Sequence, residues 1–273
     1  MNLIEIPKRL PLQRKLSRTQ HALTITASLG SALLLWHFVT QLWDLPAFIL
    51  PSPTMVGQRF VQAWRDGSLL RHTGYTLFEV LCGLTLGVLT ATLLGYLLAK
   101  SHWFERLLSP YIVASQSIPI VAIAPLLVIW FGPGLFSKIL ICALIVFFPV
   151  LVNTIVGLRS VPEELSDLMR SLKANRWQTI RYLEAPAALP VFLGGLRIGA
   201  TLSVIGAVVG EFVGADRGLG FLVNVARGKY DTPLVFVAVF TLIAMALLLY
   251  TSVFFIEKRL LNWQQRQEQT NFT

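Results

Sequence analysis

The chain has 273 residues, of which 55% are hydrophobic and 14% are charged, so it carries more apolar side chains than one soluble core could bury. Its formal charge of +9 does not indicate nucleic-acid binding, because the basic residues stand in short clusters beside apolar runs. The two cysteines, Cys82 and Cys142, lie inside apolar runs without paired spacing, which predicts packing residues and argues against a disulfide framework or a metal site. The sequence predicts an all-α integral membrane protein.

Six apolar runs are long enough to cross a bilayer. They lie at about 22–43, 74–99, 107–131, 138–158, 190–213 and 233–256. The first run is too long for a signal-peptide core and lacks a small-residue cleavage site, so it is interpreted as a retained anchor. The predicted organisation is a basic tail (1–20), a six-span transmembrane domain (21–257) and a second tail (258–273).

The positions of lysine and arginine predict the orientation. The two tails and the second and fourth connections hold fifteen of these residues, whereas the other three connections hold seven. Because cytoplasmic loops are enriched in Lys and Arg, both termini and the segment 159–189 are predicted to face the cytoplasm from the cell's inner (plasma) membrane.

The third span contains polar side chains and prolines. They are Ser115, Gln116, Ser117, Pro119 and Pro125. Proline inside a helix removes a hydrogen bond, so this span should be kinked or broken, and such breaks are tolerated only against protein or a water-filled cavity. Together with Trp130, these residues are candidates for the lining of a translocation path; the alternative is a purely structural kink. Elsewhere, glycine pairs four residues apart, such as Gly83 and Gly87, predict close helix packing.

Four ionisable residues lie within the predicted spans, where such groups are candidates for function. They are His37, Glu79, Arg197 and Glu211. Glu79 and Glu211 stand near the outer ends of their helices and Arg197 stands near an inner end. Snorkelling or pairing at the interface is therefore the alternative to a role in gating or in the path.

The segment 160–186, called here the basic segment, predicts two short helices. Ser160 and Glu163 have the spacing of a capping box, and Asn175 with Gln178 predicts a second cap. Apolar residues recur between them at helical spacing, at Leu165, Leu168, Met169 and Leu172, and Trp177 continues the apolar edge after a sharp turn near 173–175. From the residues alone, this edge could lie on the membrane surface or dock into a groove of another protein.

The basic segment resembles the cytoplasmic "EAA" loop of permease subunits of ATP-binding-cassette importers. Asp167, Leu168 and Met169 occupy the acidic and small positions, Lys173 occupies the glycine position, and the segment closes with Leu183, Ala185 and Pro186. Lysine in place of glycine departs from the pattern, and Asn175, which tolerates positive φ, is expected to supply the turn. The resemblance implies a coupling helix that inserts into a partner ATPase. The residues expected at that contact are Asp167, Leu168, Met169, Leu172, Lys173, Asn175, Arg176 and Trp177.

The resemblance covers about residues 45 to 256. It includes LPSPTMV (50–56), IPIVAIAPLLVIWFGPG (118–134) and GEFVGADRGLGFL (210–222), which are similar to the branch that imports nitrate, sulfonates, bicarbonate or thiamine precursors. It implies a type I importer (MetI-like) permease fold and alternating access. The implied partners are ATPase subunits, a solute-binding protein and a second permease copy or paralogue. Many family members carry Arg where this chain has Glu79, which favours the thiamine-precursor or riboflavin branch.

No motif for ATP hydrolysis or other catalysis is visible in the sequence. The string GPGLFSK (132–138) lacks the glycine before lysine that a phosphate-binding loop requires, and no HExxH, GxSxG or CxxC motif occurs. The expectation is a non-catalytic subunit that binds no cofactor directly and depends on ATP hydrolysed by a partner. The contrasting hypotheses are a self-contained secondary transporter and a membrane scaffold.

The third span offers hydroxyl, amide and aromatic groups but no cation, and Arg197 is the only buried candidate that could neutralise an anion. A flat, neutral heterocycle costs less to desolvate, so riboflavin or a thiamine pyrimidine is the expected solute, and alkylsulfonate, taurine, nitrate or bicarbonate is the alternative. The serine and glutamine side chains could also serve only to satisfy backbone groups at the break.

Overall fold

The computed structural model describes residues 18–43 and 46–262. Most of the predicted tail 1–20 and the end of the tail 258–273 therefore lie outside the described residues. The helices are α1 (Arg18–Leu42), α2 (Pro53–Arg65), α3 (Ser68–Lys100), α4 (His102–Gln116), α5 (Ile120–Phe131), α6 (Leu135–Arg159), α7 (Glu163–Ser171), α8 (Arg176–Thr179), α9 (Ala185–Gly214), α10 (Leu219–Gly228) and α11 (Thr232–Leu260). A π-helix, Ile180–Glu184, joins α8 to α9.

Four continuous helical stretches are long and apolar enough to cross a membrane. They are Ser68–Lys100, Leu135–Arg159, Arg176–Gly214 and Thr232–Leu260. The pair α4 and α5 passes the same test together but is bent by 99° between Gln116 and Ile120. Within the described residues, the all-helical prediction is confirmed, with four such spans or five if the bent pair counts as one, so the predicted number of six is supported only in part.

Helices α3, α6 and α9 form the centre of the bundle and pack through glycines. A Cβ atom on Gly83 of α3 would lie 2.2 Å from the Cβ of Cys142 on α6. A Cβ on Gly206 of α9 would lie 2.8 Å from the Cα of the same Cys142. Only hydrogen in place of a side chain lets three helices approach this closely, so the predicted glycine packing is confirmed. Cys142 itself is a fully buried packing residue, as expected.

The bundle has two distinct ends, because α3 and α6 run in the same direction and α9 runs in the opposite direction to both. At one end, α3 and α6 stop and α9 begins, and the basic segment is attached there. At the opposite end, α9 turns into α10 through residues 215–218. There Asp231 accepts a hydrogen bond from the amide of Leu234, capping α11, and forms a 2.8 Å ion pair with Arg59 of α2.

Candidate functional site

The basic segment presents apolar side chains to the outside of the chain. None of the residues of α7 or α8 is buried, and the exposed fractions of Leu168, Leu172 and Trp177 are 53%, 68% and 67%. Met169 is only half-buried, so it contributes less to this surface than the spacing suggested. The predicted pair of short helices with an apolar edge is therefore confirmed.

The turn between α7 and α8 is made by Lys173, not by Asn175. Lys173 has φ of 53°, in the left-handed region. The amide of Ala174 donates to the carbonyl of Met169 at 3.0 Å and that of Lys173 donates to Arg170 at 2.9 Å, which is the Schellman pattern of helix termination. Asn175 instead has φ of −74° and forms a reciprocal capping box with Gln178 at the start of α8. The expectation that Asn175 replaces the family's glycine was wrong, whereas its role as a cap is confirmed.

Replacement of Lys173 by glycine is expected to stabilise the chain by about 1 kcal/mol, because glycine adopts the left-handed conformation without the Cβ clash that a lysine suffers. The comparison is the apparent melting temperature of the two purified proteins in detergent. Lys173→Ala is the control, because alanine removes the long side chain but keeps the Cβ atom. Equal melting temperatures for the glycine and alanine variants would contradict a strained turn.

The predicted capping box of Ser160 and Glu163 does not form. Ser160 is the C-cap of α6, and its hydroxyl donates to the carbonyl of Gly157 at 2.8 Å. Helix α7 begins one residue after Pro162, which lacks the side-chain oxygen that a capping box requires. Ser160 and Glu163 have the spacing of a capping box, but Ser160 already ends α6 and the N-cap position of α7 falls on Pro162.

The predicted break in the third span lies between α4 and α5. Pro119 stands immediately before α5, whereas Pro125 lies within it. The hydroxyl of Ser115 donates to the carbonyl of Ile112 at 2.8 Å, and that of Ser117 donates to Val113 at 3.4 Å. These bonds satisfy backbone groups at the break, as the structural alternative anticipated. Gln116 and Trp130 are exposed on the isolated chain.

A cluster of buried charges lies near the opposite end of the bundle, between α3, α6 and α9. Glu79, Lys138 and Glu211 are 1%, 3% and 1% exposed. The ammonium of Lys138 lies 3.9 Å from Oε1 of Glu79, and the two glutamates are close enough to interact directly. The other carboxylate oxygen of Glu79 has no hydrogen-bond partner within the described residues. Snorkelling, which was the alternative for the two glutamates, is ruled out by their burial.

The carboxylate of Glu211 fastens the start of α10 to the bundle. Its Oε1 accepts a hydrogen bond from the hydroxyl of Thr76 at 2.7 Å, and its Oε2 accepts one from the amide of Gly220. Thr76 in turn accepts from the amide of Leu219 at 2.7 Å. Two of the first amides of α10, which no helical carbonyl can satisfy, are thus bonded by side chains of α9 and α3.

Gly218, just before α10, is expected to tolerate no side chain. Its φ is 110°, and a Cβ atom there would lie 2.2 Å from the carboxylate carbon of Glu211. Gly218→Ala should destabilise the protein by about 2 kcal/mol or more, because overpacking and an unfavourable φ add together. Gly228→Ala, at the other end of α10 with nothing within 4 Å, is the matched control. Similar detergent melting temperatures for the two variants would contradict this packing.

Arg197 is paired at the interface between α9 and α11, as one alternative proposed. Its guanidinium lies 2.7 Å from Glu257, donates to the hydroxyl of Tyr250 at 3.3 Å and lies over the ring of Phe254. His37 is half-buried on α1.

Several ion pairs and one member of the buried cluster were not foreseen from the sequence. Lys138 was counted with the connection that precedes the fourth span. In the structure α6 begins at Leu135, so Lys138 lies at the end of its first turn. Two further pairs lie at the end that carries the basic segment, Lys100 with Glu184 and Glu105 with Arg159, each at 2.6 Å. No pattern of spacing links such distant residues.

Residues 83–262, well over half of the chain, match the family described as binding-protein-dependent transport system inner membrane component. The chain belongs to this family. The permease is 49% identical to the riboflavin transport system permease protein RibX of Chloroflexus aurantiacus over 93% of its own length and 95% of that protein's. It is 34% identical to the formylaminopyrimidine transport permease protein ThiX of Halalkalibacterium halodurans, over 92% of its length and all of that protein's. It is also 32% identical to the taurine transport system permease protein TauC of Escherichia coli, over 88% of its own length and 90% of that protein's.

The permease also shares its fold with a solved importer. A chain from the MetNI methionine ABC transporter in an inward-facing conformation superposes with a TM-score of 0.64 at 20% identity, over 72% of the permease and 97% of that chain. The permease is therefore a non-catalytic inner-membrane subunit of an ATP-binding-cassette importer. It works with a partner ATPase that hydrolyses ATP and with a solute-binding protein.

Proposed function

We propose that this permease imports a vitamin or vitamin precursor, either riboflavin or a thiamine pyrimidine. The observation that carries the proposal is the 49% identity, over nearly the whole of both chains, to a permease named for riboflavin. A relative named for formylaminopyrimidine, at 34% identity, points to the same class of flat heterocycle. The alternative is a sulfonate, taurine, nitrate or bicarbonate importer, and relatives named for aliphatic sulfonates and taurine, at 31% and 32% identity, support its first two solutes.

The charges of the spans support a neutral or weakly charged solute. An anion crossing the membrane needs a cation to offset its desolvation. The two cations buried or half-buried in the long helices are already occupied, since Arg197 pairs with Glu257 and Lys138 lies beside Glu79. The one cation of the cluster of Glu79, Lys138 and Glu211 already faces two acidic side chains, so it is not free to neutralise an anion at that end of the bundle.

The cognate solute-binding protein tests the solute. It would be titrated with riboflavin, thiamine pyrimidine, taurine and nitrate by calorimetry. The proposal expects tight binding of one of the two heterocycles and no response to either anion. Tight binding of taurine or nitrate without a response to the heterocycles would replace the vitamin by the alternative.

The basic segment is proposed to dock into a cleft of the ATPase, so that nucleotide-driven closure tilts the bundle between inward-open and outward-open states. Exposed Leu168, Leu172 and Trp177 support this role, because a surface of this kind is normally covered by a partner. The charged and polar residues around them, Asp167, Lys173, Asn175 and Arg176, are exposed as well and would form the rim of the contact. Half-buried Met169 would contribute at its edge.

The translocation path is proposed to run along the broken helix between two permease copies, lined by Ser115, Gln116, Ser117 and Trp130, with Pro119 and Pro125 shaping the backbone. Glu211 would act at the gate, because it holds the start of α10 against α3 and α9. Glu79 would act with it, because it lies beside Lys138 and interacts with Glu211. Arg197 would keep α9 and α11 together during the motion. A second copy or a paralogue would cover the exposed face of α4, none of whose residues is buried in the single chain.

The proposed topology has six spans, with both termini and the basic segment in the cytoplasm. Helix α1, 25 residues long, would be the remaining span, and Trp36 attaches it to α11 by stacking on Phe236 at 5.4 Å. The transmembrane domain would then extend over 21–257, and the outer connections 51–66 and 215–231 would receive the binding protein. A cysteine at Gln178 should react with an impermeant maleimide only from the cytoplasmic side and one at Thr54 only from outside; the reverse pattern would invert the topology.

A further inference from the structure

The basic segment is tied to the bundle at its two ends rather than along its length. None of the side chains of α7 and α8 is buried, so their packing against the long helices is slight. Any force applied to the segment must therefore pass mainly through the residues where it begins and where it ends. An ion pair stands at each of these places.

The first ion pair lies where the basic segment begins. Arg159 is the last residue of α6, and its guanidinium lies 2.6 Å from Oε2 of Glu105 in the first turn of α4. Both side chains are partly exposed, at 41% and 30%. A pair of this kind orients its partners but is weakened by water.

The second ion pair lies where the basic segment ends. Glu184 is the last residue of the π-helix, and its Oε1 accepts a 2.6 Å hydrogen bond from the ammonium of Lys100, the last residue of α3. The side chain of Glu184 is 8% exposed, and its second oxygen has no partner within the described residues. A buried carboxylate with one charged partner depends strongly on that partner.

Both ion pairs end on the same short stretch of chain. Lys100 closes α3 and Glu105 opens α4, with Ser101 as the cap between the two helices. We propose that the pairs Arg159–Glu105 and Glu184–Lys100 form a clamp through which displacement of the basic segment moves the connection 100–105. These four are positioning residues: they contact neither solute nor nucleotide.

Helix α4 connects the clamp to the bend in the broken helix. Helix α4 begins at the clamped connection and runs without a break to Gln116, where the 99° bend starts. A helix transmits displacement along its axis through its hydrogen-bonded backbone, and Pro110 removes only one of these bonds from α4, whereas the bend can open or close. Displacement of the basic segment by the ATPase would thus reach the bend through α4, in addition to reaching the bundle through α9. The inference rests on the docking of the basic segment proposed above.

The test measures the bend without using a solute. Gln116→Cys, in a Cys82→Ala background, is labelled with maleimide in the reconstituted complex with its ATPase, first without nucleotide and then trapped with ATP and vanadate. In the otherwise unchanged permease, we expect the labelling rate to differ between the two states by about threefold or more. The single reversals Lys100→Glu and Glu184→Lys should abolish the difference, and their combination should restore it.

The neighbouring reversal Arg106→Glu, on the same turn of α4 at an exposed residue, is the matched control and should keep the difference. If a reversed variant does not assemble, the neutral variants Lys100→Gln and Glu184→Gln are measured instead, and they too should lose the difference. Loss without recovery in the combined reversal, or an unchanged difference in the single variants, would overturn the clamp. Co-purification of the ATPase with every variant separates this result from a failure of docking itself.

Discussion

Replacement of Lys138 by methionine is expected to destabilise the permease by about 3–5 kcal/mol, because it leaves the carboxylates of Glu79 and Glu211 buried without a cation. The three side chains are between 1% and 3% exposed, so water cannot compensate for the missing charge. Methionine has a similar length and fills the same volume, which confines the change to the charge. The measurement is the apparent melting temperature and the yield of folded protein in detergent.

The combined variant Lys138→Met with Glu79→Gln is the matched control. It removes one of the two buried acids together with the cation, so part of the loss should be recovered, although Glu211 still has no cation. If Lys138→Met alone were as stable as the unchanged permease, Glu79 and Glu211 would not depend on the ammonium of Lys138. The proposed role of the cluster at the gate would then lose its basis.

The second large effect is expected at the docking surface. Leu172→Asp should weaken assembly with the ATPase by about 3 kcal/mol, or roughly 100-fold, because it places an unpaired charge in an apolar contact. Leu172 is 68% exposed in the chain, so the stability of the permease itself should be unchanged. This position is a cleaner probe than half-buried Met169. The readouts are the amount of ATPase that co-purifies and the melting temperature of the permease alone.

Arg170→Asp is the control for that experiment. Arg170 is on α7 close to Leu172, and its side chain is 82% exposed in a local pair with Asp167. The change introduces the same carboxylate on the polar side of the helix, so it should cost far less assembly. Arg170→Asp changes the charge by two units and Leu172→Asp by one, so a loss for Arg170→Asp that equals or exceeds that for Leu172→Asp would assign the effect to net charge rather than to an apolar contact.

The long helices and the break at Pro119 were predictable from the sequence because they depend on local composition. A run of apolar residues and a proline constrain the backbone wherever they occur. The turn at Lys173 was placed correctly but given to the wrong residue, because propensity favours asparagine for positive φ while the hydrogen bonds of α7 fix the turn one residue after Leu172. Ser160 failed as a cap for a related reason: α6 continues up to it.

The buried cluster was predictable only in part. Glu79 and Glu211 stood out as acids within apolar runs, but Lys138 lay on the predicted boundary of the fourth span and was counted with the connection outside it. Its partners are 59 and 73 positions away along the chain, and only the packing of α3, α6 and α9 brings them together. Side-chain pairs between distant helices leave no periodic pattern, which is also why Arg197 with Glu257 and Lys100 with Glu184 were not foreseen.

The π-helix at Ile180–Glu184 fixes the direction in which the docking surface points. A π-turn accommodates one residue more than an α-turn, and each residue of an α-helix advances the chain by about 100° around its axis. Deletion of a single residue from this stretch would let α8 and α9 fuse into one regular helix and would swing Trp177 around the axis by that angle relative to the bundle. The length of this five-residue stretch thus sets the rotation of the proposed ATPase-binding surface relative to the helices that span the membrane.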